Sequence, residues 1–141
     1  MKRDIFLVVN TNVLFSFFGK STKTRELIFL LSGMLVSPEF AMEELVKHKD
    51  KVLRKAKIRD EDFEKLISVL RKHIVFVEES FYSEYIPLAL EISPDSNDAD
   101  FVALSLKTGY PLWSNDTKLK SIKEITVLNT REVIRILQMK N

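Results

Sequence analysis

The sequence of 141 residues contains no cysteine. Thiol catalysis, disulfides and cysteine-ligated zinc are therefore excluded together. Histidine occurs only twice, as His48 and His73, so any metal ion must be held mainly by oxygen ligands, which Mg²⁺ and Mn²⁺ prefer. Glycine and proline are also scarce, with 3 and 4 residues. This composition is typical of a compact, helix-rich protein rather than a disordered or fibrous one.

A strong net charge and a long apolar run are missing as well. The formal charge is +2, so a nucleic-acid partner cannot be inferred from net charge and only local clustering of basic residues would support one. The first apolar segment, residues 5–9, is broken by Asn10-Thr11-Asn12 and is too short for a membrane span or a secretory signal. We expect a cytoplasmic protein with no membrane partner, forming a single domain over residues 1–141.

Five short apolar segments, each suited to a buried strand, are separated along the chain by helical patterns. These strands are predicted at residues 5–9, 34–36, 73–77, 111–114 and 125–128. Strands that alternate with helices indicate an α/β fold, in which a mostly parallel sheet carries helices on both faces and so forms a three-layer sandwich.

Capping residues and apolar stripes place the helices. Ser37 is predicted as an N-cap with Pro38 at the first helical position, opening one helix that runs to about residue 56. Further helices are predicted from Asp60, over residues 81–92 with a kink or late start at Pro87, over 98–107, and after a capping box made by Asn129 and Glu132. The helix over 98–107 is apolar nearly all round, which predicts a central position.

Several acids and one asparagine lie where strands end or helices begin. The carboxyl ends of parallel strands share one edge of a sheet, so these side chains are expected to converge there and offer oxygen ligands to a hard dication. Taken singly, each acid also fits a helix cap or a solvated surface group. The candidates are Asn10, Glu43, Glu44, Asp95, Asp98, Asp100 and Asp116.

Four segments together resemble the PIN-domain family. They are Val-Val-Asn-Thr-Asn-Val-Leu at 8–14, Ser-Pro-Glu-Phe-Ala-Met-Glu-Glu-Leu at 37–45, Asp-Ala-Asp-Phe-Val-Ala-Leu-Ser-Leu at 98–106 and Leu-Trp-Ser-Asn-Asp at 112–116. No single segment is specific, but the four occur in order and with fitting spacing over essentially the whole chain. The resemblance implies the sheet order 3-2-1-4-5 and a small ribonuclease that depends on Mg²⁺ or Mn²⁺. It also implies RNA as substrate and, for the toxin members of the family, an antitoxin partner.

The resemblance also assigns the site residues. The acidic positions of the family fall on Asn10, Glu44, Asp98 and Asp116, which would be the catalytic and metal-binding residues, and the supporting polar contacts would come from Thr11, Ser114 and Asn115. A leucine commonly follows the family glutamate, which favours Glu44 over Glu43. The aspartate before the apolar helix favours Asp98 over Asp100.

Position 10 departs from the family pattern, in which the first acid is normally aspartate. The amide of Asn10 keeps one neutral carbonyl ligand, loses the negative charge and adds an N–H donor, so a dication would bind more weakly. We therefore expect an impaired ribonuclease. The alternative is a non-catalytic RNA-binding or assembly module that has kept the fold and lost its first acid.

Two surface features carry further expectations. Residues 47–57 contain six basic side chains opposed only by Asp50, which could follow a phosphate backbone or form a solvated helix face. The amphipathic helices over residues 27–31 and 82–90 could form the homodimer face that is common in the family, although core packing explains them equally well.

Overall fold

The computed structural model describes residues 5–19 and 22–139, and its strands form one parallel sheet in the order β3-β2-β1-β4-β5. The α/β fold and the strand order expected from the sequence are therefore confirmed. The strands span short ranges: β1 is Leu7–Val9, β2 is Leu35–Pro38, β3 is Ile74–Val77, β4 is Leu112–Trp113 and β5 is Val127–Leu128.

Helices fill the connections between these strands. They are α1 Thr11–Phe18, α2 Thr22–Leu30, α3 Glu39–Lys47, α4 Lys49–Ala56, α5 Asp60–His73, α6 Ile86–Ile92, α7 Ala99–Thr108 and α8 Thr130–Met139. Short 3₁₀ turns lie at Glu79–Phe81, Ser83–Tyr85, Ser96–Asp98 and Thr117–Ser121. Within residues 5–19 and 22–139, none of the helices combines the length and the apolar character needed to cross a bilayer.

The core lies on both faces of the sheet. All three residues of β1 are fully buried, as expected for a central parallel strand covered on both sides. Helix α7 packs against β1, β2 and β4, and six of its ten residues are buried, which confirms the predicted central position. It ends at Gly109, which adopts the left-handed conformation (φ 76°) that a residue without Cβ tolerates.

The strand order creates a switch point between β1 and β4. After β1 the chain moves to β2 and β3 on one side, whereas after β4 it moves to β5 on the other. Connections that leave in opposite directions open a crevice beyond the carboxyl ends of the two strands. Asn10 follows β1 and Ser114 follows β4, so the chain places polar residues at this crevice.

Two details of the predicted helices differ from the structure. Ser37 is not an N-cap, because it lies in β2 and its hydroxyl donates to the Val9 carbonyl at 2.8 Å. The helix predicted to run to residue 56 is two helices that meet at His48. Of the two outcomes predicted at Pro87, the late start is confirmed, since α6 begins at Ile86 and proline suits the first turn of a helix. The capping box of Asn129 and Glu132 is confirmed, with reciprocal hydrogen bonds of 2.9 and 2.8 Å.

Candidate functional site

Asn10 continues the sheet by one residue and then starts helix α1. Its backbone N–H donates to the Trp113 carbonyl at 3.1 Å, which holds the ends of β1 and β4 together. Its side-chain Oδ1 accepts the backbone N–H of Asn12 at 3.1 Å and so caps α1. This bond fixes the orientation of the amide, because the other side-chain atom, Nδ2, must then be the donor.

The amide nitrogen of Asn10 is buried without a hydrogen-bond partner. The residue is 5% exposed, and Nδ2 is one of two buried side-chain atoms left unpaired within the described residues. A buried unsatisfied donor costs free energy, about 1–3 kcal/mol. An aspartate in this orientation would keep the cap and replace the unpaired donor with a carboxylate oxygen. The position therefore accepts an acid without losing any hydrogen bond that Asn10 makes.

The three acids around the start of α7 have different surroundings. Asp95 accepts the Asn97 backbone N–H at 2.9 Å, and Asp100 accepts the Tyr82 hydroxyl at 2.5 Å. The Asp98 side chain makes no capping hydrogen bond, although Asp98 is the N-cap residue of α7. These partners favour Asp98 as the acid that is available to a ligand, and they explain Asp95 and Asp100 as structural groups.

Asp98 and Asp116 lie close enough to interact through their charges. Burial, followed by the negative charges of Asp95 and Asp116, raises the pKa of the Asp98 carboxyl to about 6. Asp116 follows β4, and its Oδ1 accepts the Lys118 backbone N–H at 3.0 Å, so its carboxylate also caps a 3₁₀ turn. The carboxylates of Asp98, before α7, and Asp116, after β4, thus lie within range of each other's charge, and we call them the carboxylate pair.

Glu44 does not complete a group of three with this pair. Among residues 5–19 and 22–139, no three acidic or histidine side chains are arranged to hold a metal ion. The Glu44 carboxylate, on α3, lies 4.0 Å from Nε2 of His48. The family position therefore falls on a half-buried glutamate that faces its own helix.

A second asparagine, Asn12, connects the two halves of the site, and sequence reasoning gave it no role. Its Nδ2 donates to the Ser114 hydroxyl at 2.9 Å, and its Oδ1 accepts the Asn115 backbone N–H at 3.2 Å. Ser114 in turn accepts the Asp116 backbone N–H at 3.1 Å. The supporting roles expected for Ser114 and Asn115 thus have a structural counterpart, whereas Thr11 is the half-buried first residue of α1. The sequence signal for a role of Asn12 was the repeated asparagine in the segment Asn-Thr-Asn at residues 10–12.

This donor set fits one hard divalent cation. Mg²⁺ is usually held by one or two carboxylates together with waters and substrate phosphates. Asp98 and Asp116 would supply the two carboxylates. Asn10 fits only in part. Its carbonyl oxygen has a second lone pair, but the buried Nδ2 is an N–H donor that no cation binds.

Comparison with solved structures shows that other proteins share this fold. VapBC2 from Rickettsia felis, bound to a DNA fragment from its promoter, has a TM-score of 0.67 and 16% identity over 89% of this chain and 98% of its own. A toxin–antitoxin complex from Klebsiella pneumoniae has a TM-score of 0.64 and 14% identity over 86% and 96%. DNA-bound VapBC from Salmonella typhimurium has a TM-score of 0.62 and 14% identity over 89% and 98%.

Comparison with curated protein sequences gives no significant match. At these identities the three similar structures show a shared fold and nothing more specific. The sequence itself matches the family model described as PIN domain over residues 8–136. That match covers nearly the whole chain and includes Asn10, Glu44, Asp98 and Asp116, so the chain belongs to the PIN-domain family.

Proposed function

We propose that this protein is a ribonuclease that hydrolyses RNA phosphodiester bonds with Mg²⁺ or Mn²⁺ and that Asn10 weakens its activity. One observation carries the proposal. Asp98 precedes α7 and Asp116 follows β4, and the pKa of Asp98 is raised to about 6 by burial, then by the negative charges of Asp95 and Asp116. Holding carboxylates close together costs free energy, and a bound cation is expected to remove this cost because it neutralises their repulsion.

Some of these side chains would bind the cation, and others would keep the geometry of the site fixed. Asp98 and Asp116 would be the main ligands, with the carbonyl oxygen of Asn10 as a weaker one. Glu44 would join them only if its side chain turned from His48 towards the crevice. When bound, a divalent cation would supply positive charge to the phosphate and lower the pKa of the attacking water.

The remaining polar residues would keep this geometry rigid. Asn12 ties α1 to the residues after β4 through Ser114 and Asn115. The hydrogen bond from Ser37 to the Val9 carbonyl holds the end of β2 beside the end of β1. Such bonds fix the positions of the acids before the substrate arrives, which removes part of the entropic cost of the reaction.

Asn10 favours a second candidate function from another class. A module that binds RNA or assembles with other proteins would keep the fold without the first acid, and an unpaired amide donor at position 10 is compatible with it. The two functions differ in one respect that can be measured. Only the ribonuclease gains activity when an acid is restored at position 10.

The proposal is tested by cleavage of end-labelled RNA with Mn²⁺, Mg²⁺ or EDTA. We expect metal-dependent cleavage that Asp98→Asn reduces at least about a hundredfold, because charge stabilisation by a metal is worth several kcal/mol. Asn10→Asp should raise the rate, and Asp100→Asn, which alters an acid engaged by Tyr82, should change it far less. Metal-independent RNA binding, with no cleavage by either the wild-type chain or Asn10→Asp, would establish the second function instead.

Two protein partners belong to the same proposal. The similar structures include a toxin–antitoxin complex, so we propose that an antitoxin binds this chain. A homodimer is supported by exposed apolar side chains on α2 and α6, namely Phe29, Leu30, Leu88 and Leu90. Sedimentation of the wild-type chain and of Leu90→Lys tests the homodimer, because a charge in an apolar interface should shift the chain to monomer.

A further inference from the structure

A cleft lies between helices α1 and α4, next to the candidate site. It encloses about 310 Å³ and is lined by Asn12, Phe15, Lys51, Val52, Lys55 and Ala56. Val52 and Ala56 are buried, Phe15 is half-buried, and the two lysines are exposed. The cleft thus combines an apolar floor with a cationic rim, and its volume is at the lower end of the range for small-ligand sites.

The two lysines at the rim differ from their basic neighbours in the same helix. Lys49 lies 2.6 Å from Asp60 and 3.7 Å from Glu64, and Arg54 donates to the backbone carbonyl of Asp50 at 3.4 Å. Neither Lys51 nor Lys55 has a carboxylate oxygen within 4.0 Å among residues 5–19 and 22–139. They are four residues apart on α4 and so share one helix face, where two like charges repel and an anion would relieve the repulsion.

The cleft is connected to the carboxylate pair through Asn12. This side chain lines the cleft and also binds Ser114 and the Asn115 backbone, immediately before Asp116. A polymer that passes over Asp116 would therefore reach the cleft within a short distance.

We propose that this cleft binds one unpaired nucleotide of an RNA strand, next to the residues that follow β4. The base lies against Phe15 on the apolar floor, and the phosphates on either side of it interact with Lys51 and Lys55. Single-stranded RNA is recognised in this way because its bases can leave the stack and lie against an aromatic ring. The inference rests on the proposed function only in taking RNA as the substrate.

Binding is measured in EDTA, so that the result does not depend on cleavage. The probe is a short fluorescein-labelled oligouridylate, and its anisotropy is followed over a range of KCl concentrations. The double variant Lys51→Glu/Lys55→Glu should bind at least about tenfold more weakly at low salt, and its slope of log K against log[salt] should be shallower by about 1.4, since each lost phosphate contact contributes about 0.7. An unchanged slope overturns the proposal.

The matched control carries the same change of charge at the opposite edge of the sheet. Lys72 and Lys123 are exposed and precede β3 and β5, so Lys72→Glu/Lys123→Glu alters net charge equally but lies at the amino ends of the strands. We expect its slope to match the wild-type slope. Equal loss of affinity in both double variants would show that only the overall charge attracts RNA, and it would also refute the cleft.

The base position is tested separately from the phosphates. Phe15→Leu keeps apolar volume but removes the ring, and we expect about fivefold weaker binding with an unchanged salt slope, because stacking is not an ionic contact. An oligonucleotide carrying 4-thiouridine should cross-link to peptides that contain Phe15 or residues 51–56. Cross-links confined to other peptides, together with wild-type affinity in Phe15→Leu, would refute nucleotide binding in the cleft. They would favour another occupant, such as an acidic peptide.

The outcomes separate this inference from the proposed function. RNA cleavage that proceeds with unchanged KM in Lys51→Glu/Lys55→Glu would refute the cleft and leave the ribonuclease intact. Binding that depends on Lys51, Lys55 and Phe15, without cleavage by any variant, would keep the cleft and refute the ribonuclease. If both hold, the double variant should raise KM and leave kcat nearly unchanged, because the cleft lies beside the reacting bond rather than on it.

Discussion

At the scale of single residues, the site depends on which groups already have partners. Asp100 is engaged by Tyr82 and Asp95 by the Asn97 backbone, whereas the Asp98 side chain is not used as a cap. The sequence pattern alone did not show which of the three acids belongs to the site, because each of them suits a helix start. Only the resemblance to a family selected Asp98, and its choice as a site residue stays a prediction, which the absence of a capping hydrogen bond from its side chain supports.

Asn10 leads to a prediction about stability without metal. Asn10→Asp keeps the cap on α1 but places a negative charge at a 5% exposed position, so we expect the free energy of unfolding in EDTA at pH 7 to fall by about 1–3 kcal/mol. Urea denaturation measures this as a lower midpoint with an unchanged m-value.

The control for Asn10→Asp is Asn129→Asp, which adds the same charge at the N-terminus of α8. There the oxygen that accepts the Glu132 backbone N–H is retained, and the helix dipole favours an acid. Its free energy of unfolding should stay within about 0.5 kcal/mol of the wild-type value. Equal stability of Asn10→Asp and the wild-type chain would show that position 10 is not beside a tight acidic pair.

The raised pKa of Asp98 predicts how the free energy of unfolding depends on pH in the absence of metal. Its pKa is about 6 in the folded chain, against 3.8 without the fold, so the folded chain holds the proton more tightly than the unfolded chain between these values. The group therefore costs nothing below pH 3.8, and its cost grows as the pH rises to 6. Asp98→Asn should be more stable than the wild-type chain by about 1–2 kcal/mol at pH 7.5, since partial exposure to solvent screens the charge.

The measurement is urea denaturation in EDTA across this pH range. The advantage of Asp98→Asn should shrink as the pH falls and vanish near pH 3.8. Glu91→Gln, which removes an exposed carboxylate from α6, should show no comparable trend. An advantage of Asp98→Asn that is the same at pH 4 and pH 7.5 would mean that ionisation of this carboxyl is not its cause.

At the scale of elements, Asn12 joins the start of α1 to the end of β4. We expect Asn12→Ala to lower the free energy of unfolding by about 1–3 kcal/mol, because it leaves polar groups of two elements without partners. In a double-mutant cycle with Ser114→Ala, the coupling energy should be about 0.5–1.5 kcal/mol. Strictly additive effects of the two substitutions would indicate that this hydrogen bond does not connect the elements.

The elements that the sequence predicted correctly are those with a local signal. Helix α5 begins at Asp60 with Phe63 and Leu70 buried on one stripe, and the capping box of α8 is formed by two side chains three residues apart. The break between α3 and α4 had no such signal, because neither glycine nor proline interrupts the stripe at His48. Strand ends were also misplaced, because pairing with neighbouring strands decides where a ladder stops. Four predicted strands were too long, whereas β2 continues to Pro38, two residues beyond its predicted end.

At the scale of the whole molecule, the alternation of strands and helices was enough to predict a mostly parallel α/β sheet. Periodicity could not determine the strand order, because the same alternation of strands and helices is compatible with several parallel orders, and that order was expected only from the family resemblance. The cleft between α1 and α4 was out of reach for the same reason. Phe15 and Lys51 are far apart in sequence, and the sequence around each of them indicates only an ordinary helix face.

Metal binding, if it occurs at Asp98 and Asp116, should stabilise the whole chain, because the unfolded chain has no preformed site. The free energy of unfolding should rise by about 1.4 kcal/mol at a metal concentration ten times Kd, which raises Tm by about 3–6 °C for a domain of this size.

Scanning calorimetry with MnCl₂, against KCl at equal ionic strength, measures this effect. We expect a modest rise in Tm for the wild-type chain, a larger rise for Asn10→Asp, where a third carboxylate joins the pair, and none for Asp98→Asn. In Asn10→Asp the metal should also recover the stability lost in EDTA, because it neutralises the repulsion that caused the loss. The same Tm increase in all three chains would place the metal away from the carboxyl edge of the sheet and would remove the main support for the ribonuclease.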